Sequence, residues 1–351
     1  MDPALSTPQS IDPNASLAHA NIRVAPKPNC FVCGAEGDAL YEELEDKLFS
    51  APGEWTLKRC RAEGCGVLWL DPMPVPEDLS KAYRDYYTHG NDPGRSLLFK
   101  ASKALYRLIV DVFLSSGGIP AERKRAALMY VGDRRPGTIL DIGCGHGVFL
   151  SLMAKRGWIV KGVDFDEAAV NAARRLHGID VRVGTVDAFV EDSETFDVVT
   201  ASHVIEHVPN PVEFLSKCRR LLKPGGCFVL RTPNVDSIGH RRYGRNWRGL
   251  EPPRHLHLFT ISALERCARA AGFIGIESFT TSVGAEGILL ASHFLEAEGA
   301  FRPMHLSRIS ALKSKFLGPL FALRGKLAWW FDQSSGEEIC AVLTNGSSAT
   351  K

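Results

Sequence analysis

TILDIGCGHGVFLSLMAKRG, residues 138–157, decides the fold. TILDIG is a short run of strand formers ending at an acid. GVFLSLMAKRG reads as a helix closed by Gly157. Between them Gly143, Gly145 and Gly147 alternate, which allows a sharp turn and close approach of a ligand to the main chain. The dinucleotide fingerprint spaces its glycines as G-x-G-x-x-G and seats a pyrophosphate on the helix N-terminus. Here the spacing is G-x-G-x-G, and Asp141 stands at the strand end. An acid there repels a pyrophosphate and suits a cationic ligand.

The pattern continues outward from this unit. WIVKGVDF reads as a strand, and DEAAVNAARRLHG as a helix with Asp166 as N-cap and Gly178 as C-cap. VRVGTV and FDVVTASHV are further strands. A helix from Pro211 to Leu222 stops at KPGG, and CFVLRTP is the next strand. Strands alternating with helices at this spacing mean crossover connections and a parallel sheet. Residues 234–258 are long, irregular and basic. A helix (261–271), a strand (273–281), a helical stretch (286–331) and a final strand, EEICAVLTN, complete the chain. Asp164 ends the second strand of the series, where an acid holds a ribose diol. Asp187 follows the third, placed to accept from an adenine amine. Three acids at successive strand ends suit a positively charged nucleoside.

LDIGCGHG, VKGVDFD, GTVDAF, FDVVTASHVIEHVPNP and LLKPGGCFVLRTPN, in this order, resemble the class I S-adenosylmethionine-dependent methyltransferases over roughly residues 121–345. The last two are similar to motifs of the group that includes ubiquinone-type O-methyltransferases. The resemblance implies an α/β fold with a Rossmann-like, doubly wound, seven-stranded sheet. It implies S-adenosyl-L-methionine as cofactor, with Asp141, Gly143, Gly145 and Gly147 at its methionine end, Asp164 on the ribose, Asp187 on the adenine and His203 beside the sulfonium.

Ahead of that domain lie Cys30-x2-Cys33 and Cys60-x4-Cys65, with 26 residues between the pairs. Gly34 and Gly66 follow the second cysteine of each pair and ease the bend of a metal knuckle. Four thiolates fit a structural zinc with no open position. Some bacterial sugar C-methyltransferases and glycan-linked methyltransferases look similar here, which gives a small zinc-ribbon-like module. The expected domains are a flexible tail (1–28), the zinc module (29–75), a helical linker or lid (76–131) and the methyltransferase domain (132–351) with a helical insertion (286–331). Five prolines and few large apolar residues argue for the tail.

Composition bounds the rest. Hydrophobic residues make up 45% and charged residues 23%, which excludes a mostly disordered chain. The net charge of +2 gives no bulk attraction to nucleic acid, so no nucleic-acid partner is expected. The first ten residues lack the apolar run of a secretory leader, and a cytoplasmic location is expected. The window 316–331 either covers the domain's own core, forms a dimer interface or touches a membrane surface.

Transfer to a hydroxyl needs alignment and a base. RHLHLFT resembles the H-x-x-x-F-[ST] stretch of the sugar C-methyltransferases, where a histidine is the base. This selects His255, with pKa near 6.5, and keeps His257 in reserve. Five arginines between 241 and 254 suit an anionic acceptor. Arg254, Trp247 and Tyr87 are expected to bind it. The expected acceptor is a glycan, a lipid-linked sugar or a similar small metabolite. The alternatives are a quinone- or polyketide-type substrate, or RNA or protein gripped by the zinc module.

Overall fold

The computed structural model describes residues 22–83, 115, 118–193, 195–301 and 308–346. Residues 84–114 of the expected helical linker, Tyr87 among them, and residues 1–21 lie outside the described residues.

The N-terminal part contains β1 (Val24–Ala25), β2 (Gly37–Leu44), β3 (Trp55–Cys60), β4 (Leu68–Leu70) and β5 (Met73–Pro74). The larger part contains β6 (Thr138–Ile142), β7 (Ile159–Asp164), β8 (Asp180–Val183), β9 (Phe196–Ser202), β10 (Leu222–Pro233), β11 (His257–Leu258), β12 (Gly275–Thr281) and β13 (Glu338–Thr344). Seven strands form one sheet in the order β12-β13-β10-β9-β6-β7-β8. The five strands from β10 to β8 are parallel, and β13 runs antiparallel to both its neighbours. This is the expected α/β, doubly wound sheet.

Strand periodicity explains the two covered faces. Leu140, Val199, Phe228 and Leu230 face one core, shared with helices Pro211–Leu221 and Ile261–Ala270. Ile139, Val198, Cys227 and Val229 face the other, shared with helices Val148–Ala154 and Glu167–His177. Caps fix the helix starts where the sequence placed them. Asp166 accepts from the amides of Ala168 and Ala169, and Asn210 accepts from Glu213.

The cysteine-bearing region is built into this body. Its sheet, β11-β4-β3-β2, takes β11 from the basic segment after β10, with His257 opposite Trp69. Cys30, Cys60, Cys65, Val67 and Trp69 belong to the same apolar cluster as Phe228 and Leu264. Residues 22–28, expected within the flexible tail, are tied down. β1 pairs with β5, the Arg23 amide and guanidinium bond Asp78, and the Trp69 indole donates to the Lys27 carbonyl at 2.7 Å. Backbone pairing holds a stretch whose side chains bury little.

The expected insertion is two helices, Ala285–Glu298 and Arg308–Phe331. The second keeps Phe316, Leu320, Leu327, Trp330 and Phe331 exposed. No helix among the described residues is long and apolar enough to cross a membrane.

Candidate active site

The glycine turn after β6 is held as the sequence requires. Gly143, Gly145 and Gly147 all have φ between 51° and 73°, and a Cβ at Gly143 would stand 2.6 Å from Val204. Asp141 is buried at the end of β6 and accepts from Thr200 Oγ1 at 2.6 Å. Burial pushes its pKa up to about 7; the Thr200 hydrogen bond works against the rise and the Asp164 charge adds to it. Asp164 is oriented by two amides, Gly145 N–H to Oδ2 (2.8 Å) and Asp166 N–H to Oδ1 (2.9 Å). Each oxygen keeps a lone pair for a diol. Asp187 sits in the turn after β8, where Lys217 takes Oδ1 at 2.7 Å and holds the carboxyl below its usual range. These residues share the C-terminal edge of the parallel strands, where α/β sheets bind ligands. Their shape and charge fit a cationic nucleoside.

His203 caps β9 with a left-handed φ of 56°. Its ring bridges two buried carboxylates, Glu206 (Nδ1, 3.1 Å) and Glu338 (Nε2, 2.9 Å). Burial opposes the charged ring, but the two carboxylates outweigh it and raise the pKa to about 10. His203 is therefore an imidazolium at neutral pH and holds no lone pair for a proton. Arg231 completes the cluster, donating to Ser202 Oγ at 2.9 Å and lying 3.5 Å from Glu338. Two cations and two carboxylates balance, so the cluster carries no net charge.

The predicted base is deeper than expected. His255 is 5% exposed, and its Nδ1 meets the Gly249 carbonyl at 2.7 Å. Burial lowers its pKa to about 4, although Glu251 works to raise it. This corrects the expectation of a base titrating near 6.5: the ring is neutral at pH 7 but weakly basic. His255 packs edge-on to His207, with ring centroids 4.8 Å apart. His207 Nδ1 lies 2.9 Å from both the Arg254 carbonyl and the Tyr83 hydroxyl. Tyr83, four residues before Tyr87, is the point at which the described chain reaches the site; its ring also packs on Phe165, just beyond Asp164.

His257, the expected reserve base, is as deeply buried as His255. It is 2% exposed, packs on Phe31 of the first cysteine knuckle at 4.1 Å between centroids, and is pushed down to about 3 by burial.

The five arginines expected to suit an anionic acceptor are already engaged by groups of the chain itself. Arg241 pairs with Asp332, Arg242 with Glu296 and Arg248 with Glu251, while Arg245 donates to the carbonyls of Glu42 and Glu43. Arg254 is fully buried; it forks onto Asp46 at 2.8 and 2.9 Å and donates to Glu251 at 2.9 Å. Trp247, also expected at the acceptor, is 2% exposed and donates to Glu337 at 3.2 Å. Glycine is required at 249 because a Cβ there would stand 2.3 Å from the Trp247 ring. Arg254 and Trp247 are internal supports of the segment that carries His255.

Glu206, Glu251, Glu338 and Tyr83 were not singled out from sequence. The signal for Glu206 was present: an acid and a histidine side by side inside the apolar run Val204-Ile205-Glu206-His207-Val208.

The four cysteines of the N-terminal part converge, with all Sγ atoms within 4.8 Å of one another. Cys30 and Cys65 are 3.8 Å apart, and Cys33 and Cys60 are 3.4 Å apart. A tetrahedral zinc with Zn–S near 2.3 Å sets its sulfurs about 3.8 Å apart, so the set fits that ion. Gly34 and Gly66 take φ of 76° and 62°, and the Val32 amide points at Cys30 Sγ at 3.4 Å. Cys30, Cys33, Cys60 and Cys65 would hold the zinc as a closed, structural site.

A family described as "Methyltransferase domain" matches residues 118–278. The ubiquinone biosynthesis O-methyltransferase of Hahella chejuensis is 41% identical over 103 residues, 27% of this chain and 43% of that protein. That of Pseudomonas paraeruginosa is 42% identical over 104 residues, 28% of this chain and 44% of that protein. The chain thus spans less than half the length of these curated relatives. Among solved structures, phosphoethanolamine N-methyltransferase 2 of Haemonchus contortus with S-adenosyl-L-methionine gives a TM-score of 0.44 at 21% identity, covering 64% of this chain and 53% of that one. A possible histamine N-methyltransferase of Thermotoga maritima gives 0.42 at 18%, covering 68% and 96%.

Proposed function

We propose that this chain, which carries a methyltransferase domain over residues 118–278, transfers a methyl group from S-adenosyl-L-methionine to a hydroxyl of a small metabolite. The observation that carries the reading is the buried Asp141 beside the glycine turn, with Asp164 held by two amides at the next strand end. A cationic nucleoside answers the charge of both acids. The cofactor supplies an electrophilic methyl, and the protein's part is alignment, worth up to ~7–11 kcal/mol in well-oriented systems.

The acceptor is a glycan, a lipid-linked sugar or another hydroxylated metabolite. The consumed arginines remove the reason to require a phosphate on it. A quinol acceptor is the second reading, supported by the name of the curated relatives over the matched hundred residues.

Calorimetry with S-adenosyl-L-methionine tests the cofactor, and a labelled-methyl screen against sugar nucleotides, lipid-linked saccharides, quinols and RNA tests the acceptor. Asp164→Ala should weaken cofactor binding by about 1.5–3 kcal/mol. Unchanged affinity in that variant would remove the assignment.

A further inference from the structure

We propose that two copies of this chain associate through the outer face of the helix Arg308–Phe331, paired antiparallel about a two-fold axis. That helix lies beyond the matched residues 118–278, in the stretch before β13. Its inner face is already used. Ala322 packs with Ile119, Lys326 donates to Glu122 at 2.6 Å, and the Trp329 indole donates to the Thr280 carbonyl at 3.0 Å. At Gly325 a Cβ would stand 2.7 Å from the Cβ of Ala285, so glycine lets this face close on the helix Ala285–Glu298.

The opposite face is exposed and largely apolar. Phe316, Leu320, Leu327 and Phe331 are 69%, 55%, 41% and 90% exposed, with Trp330 at 60% on the flank. Lys313 and Arg324, also exposed, complete the row. Positions 313, 316, 320, 324, 327 and 331 follow one another at intervals of three and four, so they form a single line along the helix. A line this narrow is the seam of a helix pair. A helix lying on a lipid surface has a broad apolar face with its cations on the polar side, whereas here both cations stand within the seam. These exposed side chains offer on the order of 600 Å² per copy. Two copies then cover about 1,200 Å², the area at which specific interfaces begin.

Charge selects the occupant and its direction. The helix contains no acid. A parallel copy would set Lys313 against Lys313 and Arg324 against Arg324. Turned antiparallel about the level of residue 322, Lys313 meets Phe331, Arg324 meets Leu320 and Phe316 meets Leu327. An ammonium then lies over an aromatic ring, and an arginine stem covers a leucine while its head reaches water. Asp332, which holds Arg241 at 2.8 Å, adds negative charge at the end where the lysine arrives. Each copy thus supplies what the other lacks, as a contact between identical surfaces requires.

Sedimentation of the full-length chain over a micromolar concentration range tests the pairing, and it does not depend on the reaction. Wild type should approach twice the mass of one chain. Leu320→Glu/Leu327→Glu brings four carboxylates into the seam of a pair and should weaken association by about 100-fold or more. Ile274→Glu, at a position 80% exposed outside the seam, should leave it unchanged. Circular dichroism and the melting curve establish the fold of each variant. Phe331→Ser, at the most exposed seam position, should weaken pairing by about tenfold and decides the matter if the double variant does not fold. Direction is read by mixing Lys313→Cys with Phe331→Cys. Mild oxidation should link copies in the mixture above the level of wild type or of either variant alone. A monomeric wild type, or a dimer that the seam variants leave intact, would overturn the proposal. So would a monomer that binds anionic phospholipid vesicles through Leu320 and Leu327, because the face would then meet lipid. Links formed by each cysteine variant alone and not gained in the mixture would overturn the antiparallel arrangement.

Discussion

Asp141 gives the sharpest test of the cofactor reading. Its carboxyl is pushed from an ordinary 3.8 to about 7 by burial, a shift of about three units, or roughly 4 kcal/mol against the charged form. The sign follows from linkage. Between pH 4 and 7 the folded protein holds a proton that the unfolded chain has lost, so this group lowers stability as pH rises through that window. A cationic ligand needs the ionised form. At pH 6 about one molecule in ten is ionised, so affinity should be about tenfold weaker than above pH 8, with nearly one proton released on binding. Calorimetry from pH 5.5 to 8.5 in two buffers of different ionisation enthalpy measures both quantities. Asp141→Asn should bind more weakly and lose this dependence; the ligand's own ammonium titrates in both proteins and cancels in the comparison. Thr200→Val removes the 2.6 Å hydrogen bond that favours the carboxylate and should move the wild-type curve to higher pH. A wild-type affinity that tracks Asp141→Asn at every pH would refute the placing of the cationic ligand beside Asp141.

Two further outcomes follow from buried groups. Arg254→Met leaves Asp46 and Glu251 without their shared cation and should cost about 3–5 kcal/mol in urea denaturation, whereas an exposed pair such as Arg242–Glu296 should cost under about 1 kcal/mol. Cys60→Ser should remove the cysteine-bound zinc in metal analysis and expose residues 29–75 to protease, because binding energy at such a site is folding energy.

The sheet was legible because its information is local. β6, β7, β9 and β10 are apolar runs bounded by glycine, proline and acids, and each is buried on both faces over its C-terminal half. β2 was not legible. GDALYEEL carries three acids and a glycine among its eight residues, half of it faces solvent, and its register against β3 shifts twice. The placing of Asp141, Asp164 and the three glycines at the C-terminal ends of the parallel strands was readable from position alone. The arginines were not, because their meaning lies in partners far along the chain. Arg254 and Asp46 are 208 residues apart, Arg241 and Asp332 are 91 apart, and composition cannot tell a solvated fork from one already filled. His255 shows the same limit: its position was readable from RHLHLFT, but its burial and its low pKa come from Gly249, Glu251 and His207 packed around it.

Why a zinc-type module should stand before this domain follows from how residues 251–260 are gripped. Most residues around His255 are fastened to parts of the chain far away in sequence. Arg254 reaches back to Asp46 in the loop after β2. The Leu256 amide donates to the Glu206 carbonyl at 2.8 Å, and its carbonyl accepts from Leu70 at 3.1 Å. His257 and Leu258 pair with β4. Thr260 caps helix Ile261–Ala270 and donates its hydroxyl to the Cys65 carbonyl at 2.6 Å. A segment this irregular carries a conformational cost of about 1–2 kcal/mol per residue. Structural zinc supplies about 10–16 kcal/mol in small cysteine modules, enough to order β3, β4 and the knuckles around it. Because β11 is a strand of that sheet, an ion held by the four cysteines would also brace the segment that carries His255. On the proposed reading, the module would hold the segment of His255 in place against the C-terminal edge of the parallel sheet.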